Sequence, residues 1–218
     1  MLQQPRLGEA GKRSWAVLGV SEAPLTGFSH GAAGFAYALS SLAKVSEREE
    51  FEVAAQECVA YEDSCYNKDV FNWPDLRSTD ATVFPSQWCH GAVGIGLARA
   101  ASSRSGKSNV ETIVSDINHA VQNTTANWPQ HVDTLCCGTL GTIEFLGEAG
   151  ELLNQPALGQ LSDQRLAQII SNRHEQGDYT WNAGDTAFNL GLFRGLSGVG
   201  YTILRKLDPT LPNILMWE

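Results

Sequence analysis

Four short segments place chemically capable residues immediately before a Gly-x-x-Gly pair. They are Ser29-His30 before Gly31 and Gly34, Cys89-His90 before Gly91 and Gly94, Cys136-Cys137 before Gly138 and Gly141, and Phe193-Arg194 before Gly195 and Gly198. Three of the four carry groups that bind a metal or move a proton. Cys89, Cys136 and Cys137 form a candidate three-thiolate zinc site, because soft thiolates select zinc over harder cations. Three protein ligands leave the fourth tetrahedral position open, as in catalytic rather than structural zinc. No second short-spaced cysteine pair completes a four-cysteine structural site. Cys58 and Cys65 read as small buried hydrophobes. His30 occupies the first of the four pre-glycine slots. His90, beside Cys89, is open between orienting a ligand, touching substrate and serving as a satisfied loop histidine. His119, His131 and His174 read as solvated, and Arg194 as a structural or anion-holding residue.

Residues this far apart in the chain meet only if the segments holding them are equivalent parts of one architecture. The first glycines follow one another after 60, 47 and 57 residues, long enough for two helices and their loops. Each pair opens a segment rich in small and apolar residues: 32–45, 92–101, 139–153 and 196–207. Between them lie amphipathic stripes with i, i+3, i+4, i+7 spacing. Val110, Ile113, Val114, Ile117, Ala120 and Val121 form one, with Glu111, Asp116 and Asn118 expected on the solvated face. Leu161, Arg165, Leu166, Ile169 and Ile170 form a second, with Ser162 as its expected N-cap. Phe51, Ala54, Ala55, Cys58 and Val59 form a third. No segment alternates with period 2. The prediction is an all-α protein, an α/α toroid of helical hairpins whose pre-glycine residues converge at one mouth. Residues 25–218 form its one domain, and 1–24 a poorly defined N-terminal segment.

Composition excludes several alternatives. The 218 residues, 43% hydrophobic and 18% charged, suit a packed globular core rather than a disordered chain. A net charge of -9 and a pI near 5.0 offer no basic face to nucleic acid. Apolar runs are broken well before the roughly 20 residues that a membrane span needs. The polar N-terminus does not read as a secretory signal, and five cysteines are an odd number for a disulfide framework. A cytoplasmic protein is expected.

The motifs also carry a resemblance. Gly27-Phe-Ser-His30-Gly31-Ala-Ala-Gly34, Trp88-Cys89-His90-Gly91-Ala-Val-Gly94, Cys136-Cys137-Gly138 and Gly191-Leu-Phe-Arg-Gly195-Leu-Ser-Gly198-Val-Gly200-Tyr201 resemble the LanC-like cyclase domain of class II lanthipeptide synthetases, the LanM family. Asn72-Trp73-Pro74-Asp75-Leu76-Arg77 and Leu211-Pro212-Asn213-Ile214-Leu215 look like further family segments. The match runs from about Leu25 to the C-terminus. The resemblance implies a toroid with Zn2+ at one mouth, held here by Cys89, Cys136 and Cys137. Many relatives have Cys-His where this chain has Cys136-Cys137. It implies His30 as the acid/base residue; His90, from its place beside Cys89, is a second catalytic candidate. The implied reaction adds a cysteine thiol of a dehydrated precursor peptide to a dehydroalanine or dehydrobutyrine, closing a thioether ring in lanthipeptide (lantibiotic) biosynthesis.

The sequence also departs from the family pattern. About seven hairpin units make a family ring and four are recognisable here, so an incomplete ring starting partway round is expected. An open arc exposes apolar faces, and the preceding dehydratase portion of a LanM enzyme would be a partner in trans. Some stand-alone cyclases carry an arginine four residues before the first zinc cysteine, where this chain has Pro85. A non-catalytic zinc- or peptide-binding scaffold is the alternative reading. A glycoside hydrolase on the same fold would use two carboxylates, and Asp75, Asp80, Asp133 and Asp185 are available, but none is expected at the repeated glycine mouths.

Overall fold

A computed structural model describes residues 3–77, 81–104, 110–181 and 189–217. These residues form seven α-helices: α1 (Ala32–Ser46), α2 (Glu49–Ser64), α3 (Ala92–Ser103), α4 (Val110–Ala126), α5 (Thr139–Leu152), α6 (Pro156–Gln176) and α7 (Leu196–Leu207). The four glycine-initiated helices begin at the residue after the first glycine of each pair, as the repeat predicts. Pairs α1/α2, α3/α4 and α5/α6 pack as hairpins, and α1, α3, α5 and α7 stand side by side as the inner row. The predicted α/α arc is therefore present.

Repetition extends to how these helices start. None of the inner helices has a side-chain cap, so their first N–H groups need other acceptors. In three repeats the first helical amide bonds the carbonyl seven residues earlier: Ala32 to Leu25 (2.8 Å), Thr139 to Val132 (2.8 Å) and Leu196 to Asn189 (2.8 Å). The preceding loop thus folds back over the helix start and caps it with backbone. That path explains the second glycine of each pair. A methyl group at Gly34, Gly94, Gly141 or Gly198 would collide with the carbonyl oxygen six residues earlier, of Phe28, Trp88, Leu135 and Leu192 respectively. Gly91 adds a left-handed backbone, φ 86°, that favours glycine.

The core is the interior of α3 and α5 with the inward faces of α4 and α6, including Ile95, Leu97, Ile117, Phe145 and Leu146. Two stripe assignments change. Asp116, expected in solvent, is buried on α4 because Arg99 of α3 needs it: Nε lies 2.7 Å from Asp116 Oδ2, and Nη2 lies 3.2 Å from both Glu62 and Asp63. Ser162 caps nothing, because α6 starts at Pro156, a favourable first-turn residue. Its hydroxyl instead donates to the Ile143 carbonyl at 2.7 Å, tying α6 to α5.

Residues ahead of Leu25 also have structure. Strands β1 (Leu7–Glu9) and β2 (Lys12–Ser14) form a short antiparallel hairpin against α2. Arg6 and Arg13 clamp Glu57, and Trp15 enters a second apolar cluster with Ala36, Leu39, Ala55 and Cys58. The two three-residue strands are too short to show period-2 alternation in the sequence. No helix among the described residues is long and apolar enough to cross a membrane. On α7, Leu204 and Leu207 are exposed, Leu207 by 78%.

The Arg99 cluster yields a stability prediction. Only 2% of Arg99 is exposed, so Arg99→Ala leaves buried carboxylates facing one another without a cation. Urea unfolding should show a loss of about 3–5 kcal/mol.

Candidate functional site

The four pre-glycine segments are joined by a ladder of backbone hydrogen bonds. Ser29 N–H donates to the Cys89 carbonyl (3.3 Å), Cys89 N–H to Cys136 (3.4 Å) and Cys136 N–H to Phe193 (2.9 Å). Each bond links equivalent positions of successive repeats. Trp88 N–H adds a second bond to the Cys136 carbonyl at 3.1 Å. Gly27, at φ 96°, lies so close to Cys89 and His90 that a side chain there would strike their backbone. Behind the ladder, Trp88 donates its indole N–H to the Leu215 carbonyl (2.9 Å) and packs between Phe28 and Phe193, with ring centroids 5.4 Å and 5.0 Å away. The terminal Leu211–Leu215 segment thereby braces the mouth.

This framework brings the three predicted cysteines together. Cys89 Sγ lies 3.4 Å from Cys137 Sγ, and Cys137 Sγ lies 3.2 Å from Cys136 Sγ. All three sulfurs fall within 4.8 Å of one another, the only such grouping of potential ligands found among the described residues. Zinc–sulfur bonds of about 2.3 Å set tetrahedral sulfurs about 3.8 Å apart, so a small outward adjustment seats an ion. The donor set fits zinc. Cys136 and Cys137 also lie directly before the N-terminus of α5, and Cys89 before that of α3, where the helix dipole favours anions.

Electrostatics points the same way. Hydrogen bonds from the Cys136 and Cys89 thiols, together with nearby Arg194, hold Cys137 down at about 3. Sharing a site with that thiolate pushes Cys136 up to about 12 and raises Cys89 further. A lowered Cys137 thiol flanked by two further sulfurs suits a soft cation.

Both predicted histidines stand at this mouth. Their rings lie 6.2 Å apart, His30 exposed and His90 1% exposed. His90 Nδ1 is buried without a hydrogen-bond partner, 3.9 Å from Asp75 Oδ1. Burial lowers the pKa of His90 in spite of that carboxylate. Asp75 is itself held below the usual carboxylate range: burial works against ionisation, but hydrogen bonds from Arg77 outweigh it. Arg77 Nε reaches Asp75 Oδ1 and Oδ2 at 3.0 and 3.1 Å.

Sequence spacing concealed this Asp75–Arg77 pair, which lies twelve or more residues before Cys89 and outside the repeat. Asp75 therefore does reach the mouth, through the loop after α2. Asp133 is instead buried as a brace, bonded to Thr180 at both backbone and side chain. Asp80 and Asp185 lie outside the described residues. Away from the mouth, Cys58 is buried as expected, and His119 stacks on Tyr66 at 4.6 Å rather than standing in solvent.

Comparison with known proteins accords with this geometry. The family described as lanthionine synthetase C-like protein matches residues 7–217. The chain belongs to that family. It is 27% identical over 202 residues to the lacticin 481/lactococcin biosynthesis protein LcnDR2 of Lactococcus lactis subsp. lactis, covering 84% of this chain and 20% of that protein. Its fold is similar to that of nisin cyclase, with a TM-score of 0.67 and 18% identity over 85% of this chain and 47% of that one. This LanC-like chain thus spans a fifth of the first relative and about half of the second.

Metal analysis tests the site directly. About one zinc per chain is expected, lost in Cys89→Ala, Cys136→Ala and Cys137→Ala alike. Full retention in Cys137→Ala would transfer that ligand role to His90.

Proposed function

We propose that this LanC-like chain is a zinc-dependent lanthionine or methyllanthionine cyclase acting on a dehydrated precursor peptide. The observation that carries the proposal is the convergence of three sulfurs and two histidines at a single mouth, from loops of separate repeats. Zinc held by Cys89, Cys136 and Cys137 would supply a peptide cysteine as thiolate at neutral pH, where a free thiol of pKa about 8.5 is mostly protonated.

The chain's own residues then have distinct tasks. His30, exposed with its ring 6.2 Å from that of His90, delivers a proton to the α-carbon after the sulfur–carbon bond forms; an imidazole of pKa about 6.5 suits that work. His90, buried against Cys89, closes the floor of the mouth and keeps it dry. The synthetase portion that carries dehydration is the proposed partner, supplying the substrate. Membership of the family and the likeness to nisin cyclase support this reading.

Ring closure leaves mass unchanged but consumes a thiol, so alkylation followed by mass spectrometry reports it. Zinc-loaded chain should protect the cysteines of a dehydrated peptide from alkylation. His30→Ala should slow protection by about 10²–10⁴-fold with its zinc retained. Zinc binding without any protection, even with the dehydratase portion added, would leave only a scaffold.

A further inference from the structure

The proposed addition makes a demand that thiols and histidines do not meet. As sulfur bonds to the β-carbon, the π pair of the C=C bond moves onto the α-carbon and its carbonyl oxygen. That oxygen stays negative until a proton reaches the α-carbon. The balance is one S–H added across one C=C, with nothing oxidised or reduced. A fixed cation aimed at the oxygen would lower the barrier.

We infer that Arg77 is the catalytic residue that holds this enolate oxygen, an assignment that rests on the cyclase reading. Its guanidinium is pre-positioned by Asp75, which contacts Nε with both carboxylate oxygens. Asp75 is anchored in turn, its N–H bonding the Val83 carbonyl at 2.7 Å and its Oδ1 accepting from Arg77 N–H at 3.1 Å. Through Asp75 the pair abuts His90, the neighbour of Cys89. His90 directly follows Cys89 in the chain, so the Asp75–Arg77 loop stands against the segment that carries the first predicted ligand. Its side chain remains 48% exposed, leaving donors free for a peptide. An immobilised, planar, permanently charged donor held at the mouth through Asp75 is what an oxyanion site needs.

Arg77→Gln and Arg77→Lys test this in the zinc-loaded chain. In Arg77→Gln, kcat for ring closure should fall by about 10²–10³-fold while KM, zinc content and the thermal unfolding midpoint stay at wild-type values. Arg77→Lys should recover part of the loss. Unchanged kcat in Arg77→Gln, or a loss accompanied by loss of zinc or of cooperative unfolding, would overturn the assignment. A binding measurement decides without turnover, using cysteine peptides that end in alanine α-carboxylate or α-amide. Wild type should bind the carboxylate about tenfold tighter, and Arg77→Gln should bind the two alike. Absence of that preference in wild type rejects Arg77. Absence of ring closure alone rejects the cyclase reading.

Discussion

The structure depends on the backbone ladder that joins Ser29, Cys89, Cys136 and Phe193. Because main-chain atoms make these bonds, they impose no side-chain identity at the positions they connect. Serine, two cysteines and phenylalanine therefore occupy equivalent places without disturbing the arc. The ladder fixes the distance between repeats, and the glycine pairs let each loop fold tightly enough to join it. Chemistry is then a matter of which side chains happen to occupy the rim.

Charge is distributed to suit that arrangement. Away from the mouth, buried ions are neutralised in clusters: Arg99 by Glu62, Asp63 and Asp116, and Glu148 by Arg104 and Arg205, with a further hydrogen bond from the Asn213 amide. One of these clusters touches the mouth. Glu62 Oε1 accepts the Gly27 N–H at 2.8 Å, so the outer helix α2 holds the loop that carries His30. At the rim itself Arg194 favours thiolate at Cys136 and Cys137 without being able to neutralise it by proton transfer.

Much of this was legible in the residue order. Repetition of Gly-x-x-Gly located all four inner helices to within two residues, and the cysteines beside the glycines pointed to a shared site. The misreadings came from long-range partners. Asp116 looks solvated on a helical wheel because a wheel does not contain Arg99, and Ser162 looks like a cap because it is polar before an apolar stripe. Asp75 and Arg77 sit in an aperiodic loop, where spacing carries no information about destination.

By itself, then, the sequence determined the helical repeat, its glycine-dependent turns and the soft-ligand character of three residues, all of which follow from local sterics and side-chain chemistry. Tertiary structure alone decided that the sulfurs approach to 3.2 and 3.4 Å, that His90 is buried while His30 is open, and that Asp75, from outside the repeat, comes within 3.9 Å of His90. Those outcomes depend on which loops the ladder and the buried ion clusters press together, and contacts between residues tens of positions apart leave no local pattern to read.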